Sequence, residues 1–216
     1  MVSQSARPSA RSIHDDKVNV TRILLTGGPC AGKTTALAAV SQDLTQLGYK
    51  VLVVPEAATL IAKGGAMIAS SAFTEQQGLL FQKGLMRLQI ALEESFLEIG
   101  QMVTDQHVVI LIDRGLLDGS AYVSRSEWQA LMDDLNMSVV MMRDNRYDGV
   151  LHMVTAADGA QEFYGLSNEA RYESASEATT KDKRIREAYM GHKNWHMIDN
   201  SYESFEKKVN AAKQKV

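Results

Sequence analysis

Short apolar segments alternate along this chain with longer segments of helical periodicity. The apolar segments are rich in β-branched residues and have the length of buried strands. Five strands are predicted, at 22–26, 50–54, 108–112, 149–155 and 195–198. Helices are predicted at 34–47, in a long segment after Thr74, and at 127–142, 169–190 and 203–216. This alternation favours an α/β fold in which helices cover a parallel sheet.

The long helix is predicted to begin at a capping box formed by Thr74 and Gln77. Its core face is predicted from apolar residues that recur at helical spacing, namely Leu79, Phe81, Leu85, Leu88, Leu92, Phe96 and Ile99. Gln82 and Gln89 lie off that face. We interpret both glutamines as solvent-facing, with contact to a substrate as the alternative.

The strand ends are the places to look for chemistry. Ligands of open parallel sheets bind at the carboxyl ends of the strands. The joints after the predicted strands are polar or rich in glycine, at 27–35, 55–56, 113–114, 156–158 and 199–200.

The first joint, Gly27 to Thr34, matches the Walker A pattern between a strand and a helix. Glycines permit positive φ and close backbone approach, and amides at a helix N-terminus attract phosphate oxygens. Lys33 is expected to reach the β- and γ-phosphates, and the Thr34 hydroxyl to ligate Mg²⁺. The candidate nucleotide-binding residues are Gly28, Pro29, Cys30, Ala31, Gly32, Lys33, Thr34 and Thr35. Cys30, the chain's single cysteine, is interpreted as a small residue whose amide matters, with a redox role as the alternative.

Asp113 ends the third predicted strand and is interpreted as the Walker B acid that holds Mg²⁺ together with Thr34. Arg114 follows where AAA-type motors have Glu, which counts against a mechanical ATPase. Residues 113–116 also miss the D-x-x-G pattern of switch GTPases. The segment 180–183 lacks the final Asp of a base-reading N-K-x-D motif.

Glu56 ends the second predicted strand after Pro55. Its carboxylate faces the region beyond the γ-phosphate, where a general base must accept a proton from a substrate hydroxyl. The alternative is an acidic residue that only satisfies a helix N-terminus. The sequence leaves both interpretations open.

A phosphoryl-transfer site also needs positive charge over the γ-phosphate. The polar, charge-mixed stretch after the fourth strand is typical of a lid, and Arg171 and Arg184 are its leading candidates. Arg186, Arg143 and Arg146 are further candidates. For each of these arginines the alternative is a solvated surface residue.

Composition limits the remaining classes of function. The 216 residues carry 23 Lys and Arg against 26 Asp and Glu, which gives no bulk charge for binding nucleic acid. No apolar run approaches the ~18 residues of a membrane span, and we expect a cytoplasmic protein. Residues 1–19 are predicted to be a disordered tail, and 20–216 one nucleotide-binding domain. The histidines show no spacing that supports a metal site.

The motifs resemble known families. The run 23–35, the Pro55-Glu56-Ala57-Ala58 joint and Asp113-Arg114-Gly115 resemble P-loop kinases around nicotinamide-riboside kinase domains and deoxynucleoside kinases. The strings 143–148, 155–160, 168–173 and 198–200 look like the branch that contains the TRPL-translocation-defect protein. The resemblance covers about residues 20 to 210.

The resemblance implies a three-layer P-loop NTPase fold whose five-stranded sheet has the order 2-3-1-4-5, with a lid after strand four. It implies binding of a purine triphosphate, ATP or GTP, with Mg²⁺. By match to the kinases, Glu56 is the base, Asp113 the acid of strand three and Arg114 a phosphate-facing arginine. The expected activity is transfer of a phosphoryl group to a small-molecule acceptor. The branch also includes GTP-binding trafficking factors, so a regulatory module with a protein or phosphoinositide partner is the alternative.

Overall fold

The computed structural model describes residues 19–66, 74–160 and 174–216. The tail predicted over 1–19 lies outside these residues apart from Asn19. The strands are β1 (Val20–Thr26), β2 (Lys50–Val54), β3 (Val108–Asp113), β4 (Gly149–Met153) and β5 (Trp195–Ile198). The helices are α1 (Lys33–Gln46), α2 (Ala57–Ile61), α3 (Glu75–Gln101), α4 (Arg125–Asp134), α5 (Val139–Met142), α6 (Ala175–Tyr189) and α7 (Phe205–Lys213). A π-helical turn, Ala62–Ala66, follows α2, and a 3-10 helix, Leu116–Ala121, follows β3.

The five strands form one parallel sheet in the order β2-β3-β1-β4-β5, which confirms the predicted fold class. In this order β1 lies in the centre, with Leu24 opposite Ile112 of β3 on one side and Val150 of β4 on the other. The loop after a central strand is flanked by the ends of its neighbours. The Walker A loop therefore lies among the ends of β3 and β4.

Alternate residues of the strands pack on opposite faces of the sheet, as the pleat requires. One core lies under α1 and α7 and includes Leu25 from β1 and Val40 from α1. The other core lies under α3, α4 and α6 and includes Leu24 from β1 and Tyr189 from α6. This is the three-layer arrangement that the alternation of strands and helices predicts.

The helix predicted over 127–142 is wrong in one respect, because two helices occupy it. The chain breaks after α4, where Asn136 has a φ of 51°, and α5 starts with the Ser138 hydroxyl accepting from the Met141 amide. The first part of the helix predicted at 169–190 lies outside the described residues, and α6 begins after Ser174, whose side chain forms a capping box with Glu177.

The capping box of α3 at Thr74 and Gln77 is confirmed, but the core face of this helix is shifted by one residue from the prediction. The buried positions are Gln82, Met86, Gln89, Glu93 and Gly100. Most of the predicted leucines lie at the margin of this face, and Ile99 is 51% exposed. The interpretation of both glutamines as solvent-facing was therefore wrong.

Among the described residues, no helix is long and apolar enough to span a membrane.

Candidate functional site

The Walker A loop joins the buried end of β1 to the first turn of α1. Gly27 has a φ of 134°, and a Cβ there would lie 2.0 Å from the Met153 carbonyl oxygen of β4. Gly32 has a φ of 85°, and a Cβ there would lie 2.4 Å from the Phe205 ring of α7. Cys30 takes a φ of 56° without being glycine. Positive φ and close packing explain why this turn needs glycine at both ends.

Lys33 is buried at the start of α1, where its ammonium group donates to the carbonyl oxygens of Gly27 at 3.0 Å and Gly28 at 2.8 Å. Burial lowers the pKa of Lys33 to about 8, with a further contribution from the positive charge of Arg114. The carboxylates of Asp113, Asp118 and Glu56 act in the opposite direction. The cation is thus held against the loop and close to the border between its charged and neutral forms at ordinary pH.

Not every amide of the loop is directed at a ligand. The Gly28 N–H donates to the buried carboxylate of Asp182 at 2.7 Å. The Pro29 carbonyl accepts from the Thr155 hydroxyl, and the Cys30 carbonyl accepts from the Ala156 amide at 3.3 Å. The first half of the loop is therefore fastened to the end of β4 and to α6. Of the predicted loop residues, Pro29 through Thr35 line the cavity described below, whereas Gly28 does not.

Two charged residues at the ends of β2 and β3 form an ion pair. Arg114 Nε donates to Glu56 Oε1 at 2.5 Å, and the Thr59 hydroxyl donates to Glu56 Oε2 at 2.6 Å. Arg114 Nη1 also donates to the Gly27 carbonyl at 3.2 Å and to Asp118 Oδ2 at 3.4 Å. Burial would raise the pKa of Glu56, but Arg114 and Thr59 outweigh it and hold this pKa below its ordinary value. Glu56 is therefore a carboxylate across the working range of pH.

Glu56 also precedes α2 as its N-cap, but its side chain makes no capping hydrogen bond to the helix backbone. The carboxylate is used instead by the Arg114 and Thr59 side chains. A carboxylate offers about four lone-pair sites, so these two bonds leave acceptor capacity on Glu56.

Asp113 and Thr34 line the same cavity as Lys33. Burial raises the pKa of Asp113, although Lys33 opposes this shift. Within the described residues neither side chain has a hydrogen-bond partner. A carboxylate and a hydroxyl are hard oxygen ligands of the kind that Mg²⁺ prefers, completed by phosphate oxygens and water. The donor set therefore fits Mg²⁺, although the described residues contain no cluster of three or more His, Cys, Asp or Glu that could hold a metal without such help.

Two buried side chains contact Arg114: Asp118, which sequence reasoning missed, and Gln89, which it interpreted as solvent-facing. Arg114 has a φ of 65°, which a non-glycine residue adopts only under constraint. Gln89 of α3 donates to the Arg114 carbonyl at 3.0 Å and to Glu93 at 2.7 Å. Asp118 accepts from the Gly115 amide at 3.3 Å and from the Thr26 hydroxyl at 2.7 Å. For Gln89 and Glu93 the signal available in the sequence was the presence of polar residues within the otherwise apolar helical period of α3.

The candidate arginines lie in different places, and one of them lines the cavity. Arg184 lines the cavity, and its guanidinium donates to the carbonyls of Ser120 at 2.7 Å and Val123 at 2.6 Å. Arg171 lies outside the described residues. Arg143 pairs with Asp144 and Arg146 with Glu93. Neither of these two lines the cavity, and neither does Arg186, so the structure does not place them at the phosphate loop.

The loop and the strand ends open into one cavity of about 1850 Å³. A single small-molecule site usually has about 300–1000 Å³, so this volume accommodates a nucleotide and a second ligand. The lining of this cavity also includes Phe81, Gln82 and Leu85 of α3 and residues of the 3-10 helix. Gln82 is only 6% exposed, and within the described residues its amide has no hydrogen-bond partner.

Loop, strand ends and sheet order together define a P-loop domain of the kinase-like type. The chain belongs to the AAA domain family AAA_28, whose model matches residues 22–208. Among solved structures the chain is similar to a deoxyadenosine kinase from M. mycoides with bound dATP, with a TM-score of 0.52 and 18% sequence identity. That match covers 90% of this chain and 98% of the kinase, and it shows a shared fold. The comparison with curated proteins gave no match.

Proposed function

We propose that this protein binds a purine nucleoside triphosphate, ATP or GTP, with Mg²⁺ and transfers the γ-phosphoryl group to a hydroxyl of a small-molecule acceptor. One observation carries the proposal. The Walker A loop, the carboxylate and arginine at the strand ends, and the Gln82 side chain of α3 all line one cavity, and its volume exceeds that of a single small-molecule site. A nucleotide-binding module that only hydrolyses has no need of room for a second ligand.

In this proposal the phosphates lie along the amides of residues 30–35 at the N-terminus of α1, where the helix dipole favours anions. The Lys33 ammonium group turns from the carbonyls of Gly27 and Gly28 to the β- and γ-phosphates. Thr34 and Asp113 hold Mg²⁺, which neutralises charge on the phosphates when it is bound. Arg184 and, by prediction, Arg171 add positive charge on the opposite side of the γ-phosphate.

Glu56 accepts the proton of the acceptor hydroxyl while the oxygen of that hydroxyl bonds to the γ-phosphorus. The bond between that phosphorus and the β–γ bridging oxygen breaks, and the nucleoside diphosphate leaves. Arg114 holds the Glu56 carboxylate in position from the side of the phosphate loop. The acceptor lies beside the α3 residues that line the cavity, where the Gln82 amide provides a hydrogen bond and Phe81 and Leu85 provide apolar contact.

The alternative is a GTP-binding regulatory or trafficking module that hydrolyses slowly and acts through a protein or phosphoinositide partner. One observation favours it: the hydrogen bonds from Arg114 and Thr59 lower the pKa of Glu56, and a carboxylate of low basicity fits slow hydrolysis. Arg114 occupies the position where AAA motors have Glu, which counts against a mechanical ATPase in either case.

Transfer of label distinguishes the two proposals. The protein is incubated with Mg²⁺, γ-labelled ATP or GTP, and a panel of nucleosides and other small hydroxyl compounds. A kinase moves label to one class of acceptor and releases little inorganic phosphate. Label that appears only as inorganic phosphate, at a rate near background with every acceptor, would contradict the kinase proposal and favour the regulatory module.

A further inference from the structure

The carboxylate of Asp182 lies directly behind the Walker A loop. Asp182 belongs to α6 and is 1% exposed. Its Oδ1 accepts from the Gly28 amide at 2.7 Å and from the Thr155 amide at 3.1 Å, and its Oδ2 lies 3.2 Å from His152 Nε2. A side chain from the far end of the sequence thus joins the loop after β1 to the end of β4.

The packing around Gly28 is built for this contact. A Cβ on Gly28 would lie 2.8 Å from both the Cβ and Oδ1 of Asp182, and 3.1 Å from the Cβ of Thr155. The φ of Gly28 is not in the left-handed region, unlike those of Gly27 and Gly32. Glycine is therefore needed at position 28 because Asp182 and Thr155 occupy the space beside it.

The buried charge of Asp182 is satisfied. Burial would raise the pKa of this carboxyl, but hydrogen bonds from His152 and from the amides of Gly28 and Thr155 outweigh burial and lower the pKa. His152 is fully buried, and its Nδ1 has no partner within the described residues. Because an ionised carboxylate only accepts hydrogen bonds, the Nε2 of His152 carries the proton that faces Asp182. A carboxylate with these donors is costly to remove, because each donor would be left buried without an acceptor.

The bond from Gly28 also fixes the groups that Lys33 uses. The carbonyl oxygens of Gly27 and Gly28 accept from the Lys33 ammonium group, while the Gly28 amide is held by Asp182 on the other side. An amide that is bonded to a buried carboxylate is not available to a phosphate. The anion site of the loop consequently begins after Gly28.

We propose that Asp182 is a positioning residue of the phosphate loop, which holds the Gly28 peptide so that Lys33 and the amides after it keep their places in the nucleotide-free protein. The expected effect of Asp182 on nucleotide affinity rests on the proposed function, whereas the contact between Asp182 and the Gly28 amide is tested without a nucleotide. Asp182 lies in the segment 180–183, which does not match the base-reading motif, and its contact with Gly28 gives this segment a different role.

The first measurement follows the Gly28 amide by NMR in the full chain. In the wild type its proton should be shifted downfield and protected from solvent exchange, and added nucleotide should change its shift less than those of the amides at 31–34. In Asp182→Ala its protection should fall at least tenfold. A Gly28 amide that exchanges equally fast in both proteins would overturn the inference, whether or not the protein binds nucleotide.

The second measurement separates positioning from stability by comparing Asp182→Ala, Asp182→Asn and Glu187→Ala. Glu187 is an exposed acid on the same helix and serves as the control. In Asp182→Ala the Kd for the nucleotide should rise about tenfold or more, with a smaller change in kcat at saturation. Asp182→Asn should restore most of the affinity, because its amide oxygen accepts from both backbone amides and its NH₂ group donates to the other tautomer of His152.

Two results would overturn the positioning role. One is a folded Asp182→Ala protein with lower melting temperature but wild-type Kd. The other is an Asn variant that binds as weakly as the Ala variant. If Asp182→Ala does not fold, the positioning role is tested with Asp182→Asn and Gly28→Ala. The methyl group added in Gly28→Ala displaces Asp182 and should weaken nucleotide binding. A wild-type protein that binds no nucleotide while its Gly28 amide is protected would refute the proposed function and leave the contact intact.

Discussion

Replacing Glu56 by Gln tests whether this side chain takes the proton of the acceptor. The substitution keeps the shape of the side chain and removes its charge. In the structure both carboxylate oxygens accept a hydrogen bond, from Arg114 at 2.5 Å and from Thr59 at 2.6 Å. An amide keeps one acceptor oxygen and presents an NH₂ group to the other donor. The variant therefore loses both the general base and the ion pair with Arg114.

The two losses have different sizes. Loss of a general base lowers kcat by about 10²- to 10⁴-fold. The lost charge-assisted bond contributes about 1.5–3 kcal/mol where it is buried, and we expect about 1–2 kcal/mol here because the side chains of Arg114 and Glu56 are 19% and 28% exposed. Arg114 retains its bonds to Asp118 and to the Gly27 carbonyl. Nucleotide affinity should change by about threefold or less, since Glu56 does not belong to the phosphate loop.

The assay measures kcat, the nucleotide Kd and the melting temperature of Glu56→Gln against Thr59→Val. The control removes the second hydrogen bond to Glu56 but keeps the carboxylate and its ion pair, so its kcat should stay within about threefold of wild type. A Glu56→Gln variant with a lower melting temperature and an unchanged kcat would refute the reasoning. Glu56 would then be only the partner of Arg114.

Three further predictions concern the same cavity. Lys33 binds phosphates in its ammonium form, and burial together with Arg114 lowers its pKa to about 8. Nucleotide affinity should therefore be full below that pKa and fall about tenfold between about pH 7 and about pH 9. The profile is measured in a Cys30→Ser background, which removes the loop's thiol, and an affinity that does not change with pH would contradict this prediction. Gln82→Leu should raise the KM of the acceptor about tenfold through the lost hydrogen bond and leave the nucleotide KM unchanged. An unaltered acceptor KM would exclude Gln82 from the acceptor site. Asp113→Asn should raise the Mg²⁺ concentration that gives half-maximal turnover, and an identical Mg²⁺ titration would remove Asp113 from the metal site.

Local pattern was enough to predict the strands and the phosphate loop. Strands β2 and β5 have the predicted bounds, and the Walker A loop was recognisable after β1 because its glycines and lysine form a contiguous motif. The sheet order came from family resemblance. No local pattern indicates which strands pair, because pairing depends on contacts between distant segments.

The polar residues that organise the site were not predictable by the same means. Gln82, Gln89 and Glu93 occupy the buried face of α3, where a hydrophobic period places leucines. The burial of Gln89 and Glu93 is compensated by partners elsewhere in the chain, namely the Arg114 carbonyl for Gln89 and Arg146 for Glu93. The αL conformation of Arg114 and the contact between Asp182 and Gly28 likewise depend on residues brought together by folding. A sequence pattern records neither the partner nor the backbone angle.

The most direct test of the account is the equilibrium binding of a nucleoside triphosphate with Mg²⁺, measured by calorimetry on the wild type, Lys33→Ala and Lys193→Ala. Lys33 is buried against the phosphate loop, whereas Lys193 is exposed and does not line the cavity. The account predicts that Lys33→Ala binds at least about tenfold more weakly than wild type, because a charge-assisted bond to phosphate is lost, and that Lys193→Ala binds as wild type does. Equal affinities for all three folded proteins would contradict the assignment of the phosphate loop.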